Sequence, residues 1–406
     1  MPLHCFFQSK ANILMRVETE TAPTCEQPSR PAPRPGRRLK ILHVVLSISE
    51  TNAPYNDHCI PMRKERDISI CTYFRPSVVP PEEITLFAGD DTLFGFLRAL
   101  RTALKAKRYD VIHTDMQHVA FLFMLWNALT GWRYMARTVH TIHSSYPIYK
   151  PRNKLLLMPV FAFFRRVVCC SYSSLDSVPR YLRWVAGSRL RAIENCLDLE
   201  RLDEVVGRHS RRPQTGTFTV ISVGRLIKGK DPITVMHAFH QAAEPTSRLV
   251  FIGANNSEDL ALGEYGEMLM REREVLGLGT QVELTGLIPR EQVYERLSRA
   301  DLFISASVGE GLPLSVLQAM ACRCPVILSD IGPHREIAMG APFIPLVPIH
   351  DVAGFAREIT RFRNMSPEAR DRIGELCRGI VEERFRLANM QQGYGALYAE
   401  LIKVGD

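Results

Sequence analysis

Two short segments carry residues whose types and spacing suit the handling of a phosphorylated ligand. In SASVGEGLPLSVLQAMACRCPVILSD an apolar run ends near Ser307, a glycine-flanked Glu310 follows, and Pro313 stands where a helix begins. Proline is favoured at the first helical position, and a helix start presents unpaired N–H groups and the positive end of its dipole. An acid just ahead of such a helix can touch ligand hydroxyls while the helix end receives phosphate. Leu314, Leu317 and Ala321 form an apolar stripe with Gln318 at its edge. Taken alone, the segment reads equally as a strand, a turn and a helix capped by an acid.

The second segment is SVGRLIKGKDP, where Arg225 follows an apolar run and a glycine, and Lys230 comes shortly after. Arg as a planar fork and Lys as a point charge could together hold a diphosphate. A departing diphosphate gathers negative charge, so fixed cations there favour the transition state over the ground state. Standing alone, the same pair is a solvated basic turn. In TVHTIHSSY, His140 and His143 lie near the end of an apolar run. A histidine so placed can bond a substrate or sit satisfied in a core.

These residues need elements to position them. From Leu39 short β-branched runs alternate with helical stretches: LKILHVVLSI, DISICTYF, DVIHTD, YMARTVHTIH, RVVCCS and LRAIEN, then FTVISVGR, SRLVFIGA, QVELTG, DLFISAS, PVILSD and APFIPL. Continuous apolar strands alternating with helices predict an α/β protein whose parallel sheets are covered on both faces. The polar stretch from Glu200 to Thr217 breaks the alternation. The predicted layout is a disordered leader over 1–37, a first Rossmann-like domain over 38–205 and a linker over 206–217. A second such domain follows over 218–385, then a terminal helix over 386–406 returning to the first domain. Two doubly wound domains place ligands at the carboxyl ends of their strands, in a shared cleft.

The bulk composition excludes several classes. Apolar residues make up 46% of the chain and charged ones 23%, as in a soluble globular protein. The net charge is +8, but residues 1–40 hold seven Lys/Arg against three Glu. The body lacks the interleaved basic and aromatic runs of a nucleic-acid groove, so no nucleic-acid partner is expected. Ten scattered cysteines suit reduced thiols in the cytoplasm, and Cys322 with Cys324 lacks a second ligand pair for zinc. No run reaches the roughly 18 apolar residues that span a bilayer. YKPRNKLLLMPVFAFFRR, apolar with cations at both ends, reads either as a contact with the inner membrane face or as a core helix interrupted at Pro159.

GRLIKGKDP, VELTGLIP, SVGEGLPLSVLQAMA and GPHREIA, in this order from Val220 onward, resemble the donor-binding domain of family 4 retaining glycosyltransferases of GT-B fold. The resemblance implies that Arg225 and Lys230 hold the donor diphosphate and that Glu310 contacts the transferred sugar. Gly311, Leu312, Pro313 and Leu314 match the loop and helix start beside the phosphates and sugar. Ile288 matches the backbone position that cradles the base, and Glu336 the acid after the last glycine loop. Both Thr138–His140 and Thr141–His143 fit the family's Thr-x-His beside the reacting sugar, and His143 is preferred as the nearer to the strand's carboxyl end and the following loop. Two departures stand out: Gln318 replaces the second signature Glu, which binds ribose, and SISETNAPYNDHCIP lacks the usual Gly-Gly loop.

The resemblance thus implies transfer of a hexosyl-type sugar from a nucleoside-diphosphate sugar, with retention. It implies no metal and no cofactor, since the donor is itself a substrate. The acceptor could be a glycan, a lipid-linked saccharide or a small molecule. The two departures keep a second reading open: a non-catalytic GT-B protein that binds nucleotide sugars as an assembly or regulatory subunit. A dinucleotide-binding Rossmann protein is set aside because no G-x-G-x-x-G follows the first strand.

Overall fold

The computed structural model describes residues 37–50, 52, 54–207, 216–254 and 263–403; the predicted leader, up to residue 36, and most of the predicted linker lie outside them. Among the described residues, thirteen strands form two sheets. The first comprises β1 Lys40–Val45, β2 Asp67–Thr72, β3 Thr85–Phe87, β4 Val111–Thr114, β5 Thr138–Ile142, β6 Arg166–Cys169 and β7 Leu190–Ala192. The second comprises β8 Thr219–Val223, β9 Arg248–Ile252, β10 Val282–Leu284, β11 Leu302–Ser305, β12 Val326–Ser329 and β13 Leu346–Val347. Their orders are β3-β2-β1-β4-β5-β6-β7 and β10-β9-β8-β11-β12-β13, and every pairing is parallel. Both sheets are therefore doubly wound, and each reverses its strand order beside its first strand, where such sheets open a ligand crevice.

The central strands are buried without alternation because helices cover both faces, and their few polar side chains, such as His113 and Thr141, are buried with them. On one face of the first sheet, Phe96, Leu100, Phe123, Leu157 and Phe161 from three helices pack on Leu42, Val44 and Ile112. The other face, with Ile41, Val45, Ile68 and Val139, is covered by Met390, Tyr394, Leu397, Tyr398 and Leu401 of the helix Leu387–Lys403. Those five recur at helical spacing, and each fully buried large side chain contributes about 1.5–3 kcal/mol. Tyr398 and Tyr394 also find hydrogen-bond partners there, the first with His113 Nδ1 at 2.7 Å and the second with Thr141 Oγ1 at 2.9 Å.

Three details depart from the sequence reading. The short strand β3, just after the Pro-Pro-Glu-Glu stretch, was not among the expected strands. Pro159 does not interrupt its helix, which continues over Pro151–Phe163. The proline removes the N–H that would meet the Leu155 carbonyl, and Leu155 is on the exposed side, where water can serve that carbonyl instead. The helix after Glu310 spans Leu314–Ala321, with Pro313 at its N-cap rather than inside it.

The halves are joined by two crossings set side by side. Leu197 N–H donates to the Phe385 carbonyl at 2.8 Å, and Leu387 N–H to the Leu197 carbonyl at 3.0 Å. The helix Leu199–Val206, capped by Asp198, buries Leu202 in the core of the second half. By packing, the first crossing therefore lies at Leu197, ahead of the expected linker.

Candidate functional site

β11 ends at Ser305, and the chain beyond it turns into the cleft. The Glu310 carboxylate accepts hydrogen bonds from Ser307 Oγ at 2.7 Å and from Lys230 Nζ. Burial opposes its charge, yet Lys230 and Ser307 outweigh burial and hold the Glu310 carboxyl below its ordinary value. Glu310 is thus an anion at neutral pH. Val308 N–H donates to the Gly229 carbonyl at 3.0 Å, which fixes this loop against the turn carrying Lys230.

That turn, Lys228–Lys230, precedes a helix over Pro232–Ala242 that is capped by Asp231. Arg225 leaves the end of β8 exposed and has no partner among the described residues. Gly224, Arg225, Lys230, Ser305 and Ser307 line one small cavity. The strand ends close tightly around it: Gly253 has φ +138°, and a Cβ there would collide with the Gly224 carbonyl. Gly253 N–H in turn donates to the Gly286 carbonyl at 3.0 Å, which sets the turn leading to Ile288. Ile288 is half-buried against the second core. Gln318 is half-buried on the helix after Pro313, and its amide has no partner among the described residues.

The first half grips the same loop. Ser145 N–H donates to the Glu310 carbonyl at 3.1 Å, Ser171 Oγ to the Gly311 carbonyl at 2.9 Å, and Asn195 Nδ2 to the Leu312 carbonyl at 3.3 Å. A Cβ on Gly311 would collide with the His143 carbonyl and lie 2.7 Å from Cys170 Sγ. Only glycine permits that approach. Glu310, Gly311 and Leu312 therefore sit against the segments that follow β5, β6 and β7.

The two candidate histidines separate clearly. His140 is buried, with Nδ1 2.8 Å from Thr114 Oγ1, and burial pushes it down to about 3. His143 is 27% exposed beside Gly311, and its Nε2 lies 3.2 Å from Asp115 Oδ1. A carboxylate only accepts, so Nε2 carries the proton and a neutral ring keeps Nδ1 as an acceptor. Asp115 is buried at the end of β4; its neighbours on adjacent strands supply the pairing, which the linear sequence did not suggest.

Glu336, on the helix Gly332–Ala338 of the second half, reaches across to the first half. Its carboxylate accepts from the Tyr172 N–H at 2.9 Å and the Ser173 N–H at 2.6 Å, capping a helix start in the first half. His334, in the same GPHREIA segment, escaped the sequence reading. It is buried, its Nδ1 meets the Ser329 carbonyl at 2.8 Å, and its Nε2 has no partner among the described residues. Burial pushes it down to about 4 against the pull of Glu310.

Among the described residues, one group of imidazoles has metal-ligand proximity. His43, His58 and His113 are buried, with ligand atoms within 4.8 Å of one another. Both His113 nitrogens are already engaged, by Tyr398 and by Thr141 Oγ1 at 2.7 Å each. Burial drives His113 down to about 3, so the ring is a neutral core group at neutral pH.

Comparison with known proteins matches both halves. The family described as "Glycosyl transferases group 1" matches residues 208–378, and "Glycosyltransferase Family 4" matches residues 63–201. The UDP-Gal:alpha-D-GlcNAc-diphosphoundecaprenol alpha-1,3-galactosyltransferase of Escherichia coli is 22% identical over 358 residues, covering 84% of this chain and 87% of the relative. Sucrose-phosphate synthase from Thermosynechococcus elongatus superposes with a TM-score of 0.73 at 19% identity, covering 90% of this chain and 100% of that one. Anabaena HepE in complex with UDP-glucose gives a TM-score of 0.71 at 16% identity, covering 89% and 100%. The structural likenesses establish the fold. With two parallel-sheet Rossmann-like halves and a family match on each, the chain belongs to the family 4-like glycosyltransferases of GT-B fold.

Proposed function

We propose that this glycosyltransferase moves a hexosyl-type sugar from a uridine diphosphate donor to a lipid-linked saccharide, with retention of configuration and without a divalent ion. The observation that carries the reading is the convergence of Arg225, Lys230 and an ionised Glu310 at the end of the second sheet, with the His143 backbone carbonyl packed against Gly311 of the same loop. The uridine base and the lipid-linked acceptor are supported by the names of the relatives above.

In this scheme Arg225 forks onto the diphosphate and Lys230, with three N–H groups, bridges Glu310 and phosphate. The bond from the anomeric carbon to the diphosphate oxygen breaks while an acceptor hydroxyl bonds that carbon on the same face. The hydroxyl proton passes to the leaving oxygen. Charge growing on that oxygen meets Arg225, Lys230 and the start of the helix Leu314–Ala321. Glu310 and His143 bond sugar hydroxyls, and Gln318 receives the ribose. The two cations supply the charge that a divalent ion would otherwise bring.

Thermal melts with a panel of nucleoside diphosphates test the donor site, because ligand that binds only the native state raises the melting temperature. Uridine diphosphate should raise it, and Arg225→Ala should abolish the rise. No shift with any nucleotide overturns the donor reading. Turnover should persist in excess chelator, and its collapse there would reject the metal-free mechanism. Donor binding without any turnover, using lipid-linked saccharides as acceptors, would favour the non-catalytic subunit.

A further inference from the structure

The outer flank of the first half carries apolar side chains that the fold leaves uncovered. The helices Gln117–Leu129, Pro151–Phe163 and Arg180–Ala186 lie side by side there. Their inward residues, among them Phe123, Val160 and Leu182, fill the core. Outward, Leu129 is 86% exposed, Leu155 67%, Phe163 54% and Trp184 85%. Trp132 leans on Phe163, with ring centroids 5.5 Å apart. A helix apolar on every side is ordinarily buried. From Leu155 onward Pro151–Phe163 is such a helix, and its outer side faces solvent.

The charge around these side chains says what covers them. Between Asp115 and Glu194 the sequence holds eleven Lys/Arg and one acid, Asp176. That excess of positive charge is greater than the net +8 of the whole chain. Asp176 sits 3.6 Å from Arg183. Some of the cations serve the fold, as Arg166 does with Glu400 and Arg189 with backbone carbonyls. Arg133, Lys150, Arg152 and Arg180 are exposed beside the apolar residues. A second copy docking on this face by a two-fold axis would set these cations against themselves. An anionic bilayer is complementary to both parts of the surface. Its acyl boundary accepts the aromatic and aliphatic side chains, and its phosphates accept the cations.

The flank also adjoins the cleft. Ser145, which bonds the Glu310 carbonyl, leads through the turn Tyr146–Ile148 into Lys150 and the helix Pro151–Phe163. Ile148 fills the space beside Gly309. We propose that these three helices dock the enzyme on an anionic membrane surface, with the mouth of the cleft at headgroup level. The proposal deepens the reading of a lipid-linked acceptor, although the docking surface itself is argued from exposure and charge.

Co-sedimentation with phosphatidylcholine vesicles, with and without phosphatidylglycerol, tests it without donor or acceptor. The full chain should pellet with the anionic vesicles and be released by salt. The double variant Leu155→Ser/Trp184→Ser should lose at least about tenfold in partitioning, because apolar area drives insertion. Val275→Ser, at an exposed apolar residue of the second half, should bind as the parent does. Nucleotide melts on the same proteins report whether the variants fold and whether the donor reading holds, independently of docking. Three results would each overturn the proposal: a parent that stays in the supernatant with anionic vesicles, a double variant that binds undiminished, or a parent that dimerises through this face and ignores vesicles.

Discussion

Glu310 keeps its charge against the opposing pull of burial, because Lys230 and Ser307 both donate to one of its oxygens. That Lys230, Glu310 and Arg225 follow strand ends of the second sheet was legible in the sequence pattern, while the roles expected of them came from the family resemblance. Asp115 and His334 were not legible, since each acquires its meaning from a contact that only the folded sheets create. Gln318 lies between these cases: its position was legible, and its consequence is measurable. A charged acceptor hydrogen bond contributes about 1.5–3 kcal/mol against about 0.5–1.5 for a neutral one. Gln318→Glu should therefore tighten nucleoside diphosphate binding by about 1 kcal/mol, near fivefold, in a calorimetric titration. An unchanged dissociation constant would place the ribose elsewhere.

At the scale of elements, the site is a loop from one half held by the strand ends of the other. The carbonyls of Glu310, Gly311 and Leu312 are each bonded by a first-half residue. Gly311→Ala would drive a methyl group into the His143 carbonyl. Overpacking of this kind costs about 1–3 kcal/mol. Melting temperature should fall accordingly and kcat should drop about tenfold or more, because a small misplacement of reacting groups is costly. A variant with unchanged kcat would mean that this approach does not set the catalytic geometry. The parallel sheets were legible because strands buried on both faces are mostly apolar and do not alternate with polar residues at every second position. β3 was hidden because it is short and half-buried. The grip of Ser145, Ser171 and Asn195 was hidden because hydroxyl and amide contacts with carbonyls have no period.

Across the whole molecule, several histidines are buried as neutral rings. Burial pushes His113 and His140 down to about 3 and His334 to about 4, against about 6.5 in an unfolded chain. Below that unfolded value the unfolded chain takes up the proton first, so stability is complete above about pH 6.5 and falls on acidification toward the folded values. By pH 5 each such ring should cost up to about 2 kcal/mol. The melting temperature should thus drop steeply between pH 7 and pH 5, and His140→Asn should show a shallower slope. A slope unaltered by that change would mean that His140 is already charged in the native state.

The helix Leu387–Lys403 seals a face of the first sheet, yet it is separated from β7 by the whole second half. During synthesis, at about 5–20 residues per second, that face would wait roughly ten to forty seconds on the ribosome for its cover. Ile41, Val45, Ile68 and Val139 would stand open to passing chaperones or to other nascent chains throughout that interval. Order of translation and order of completion are thus opposed in this protein: the half made first is the half finished last.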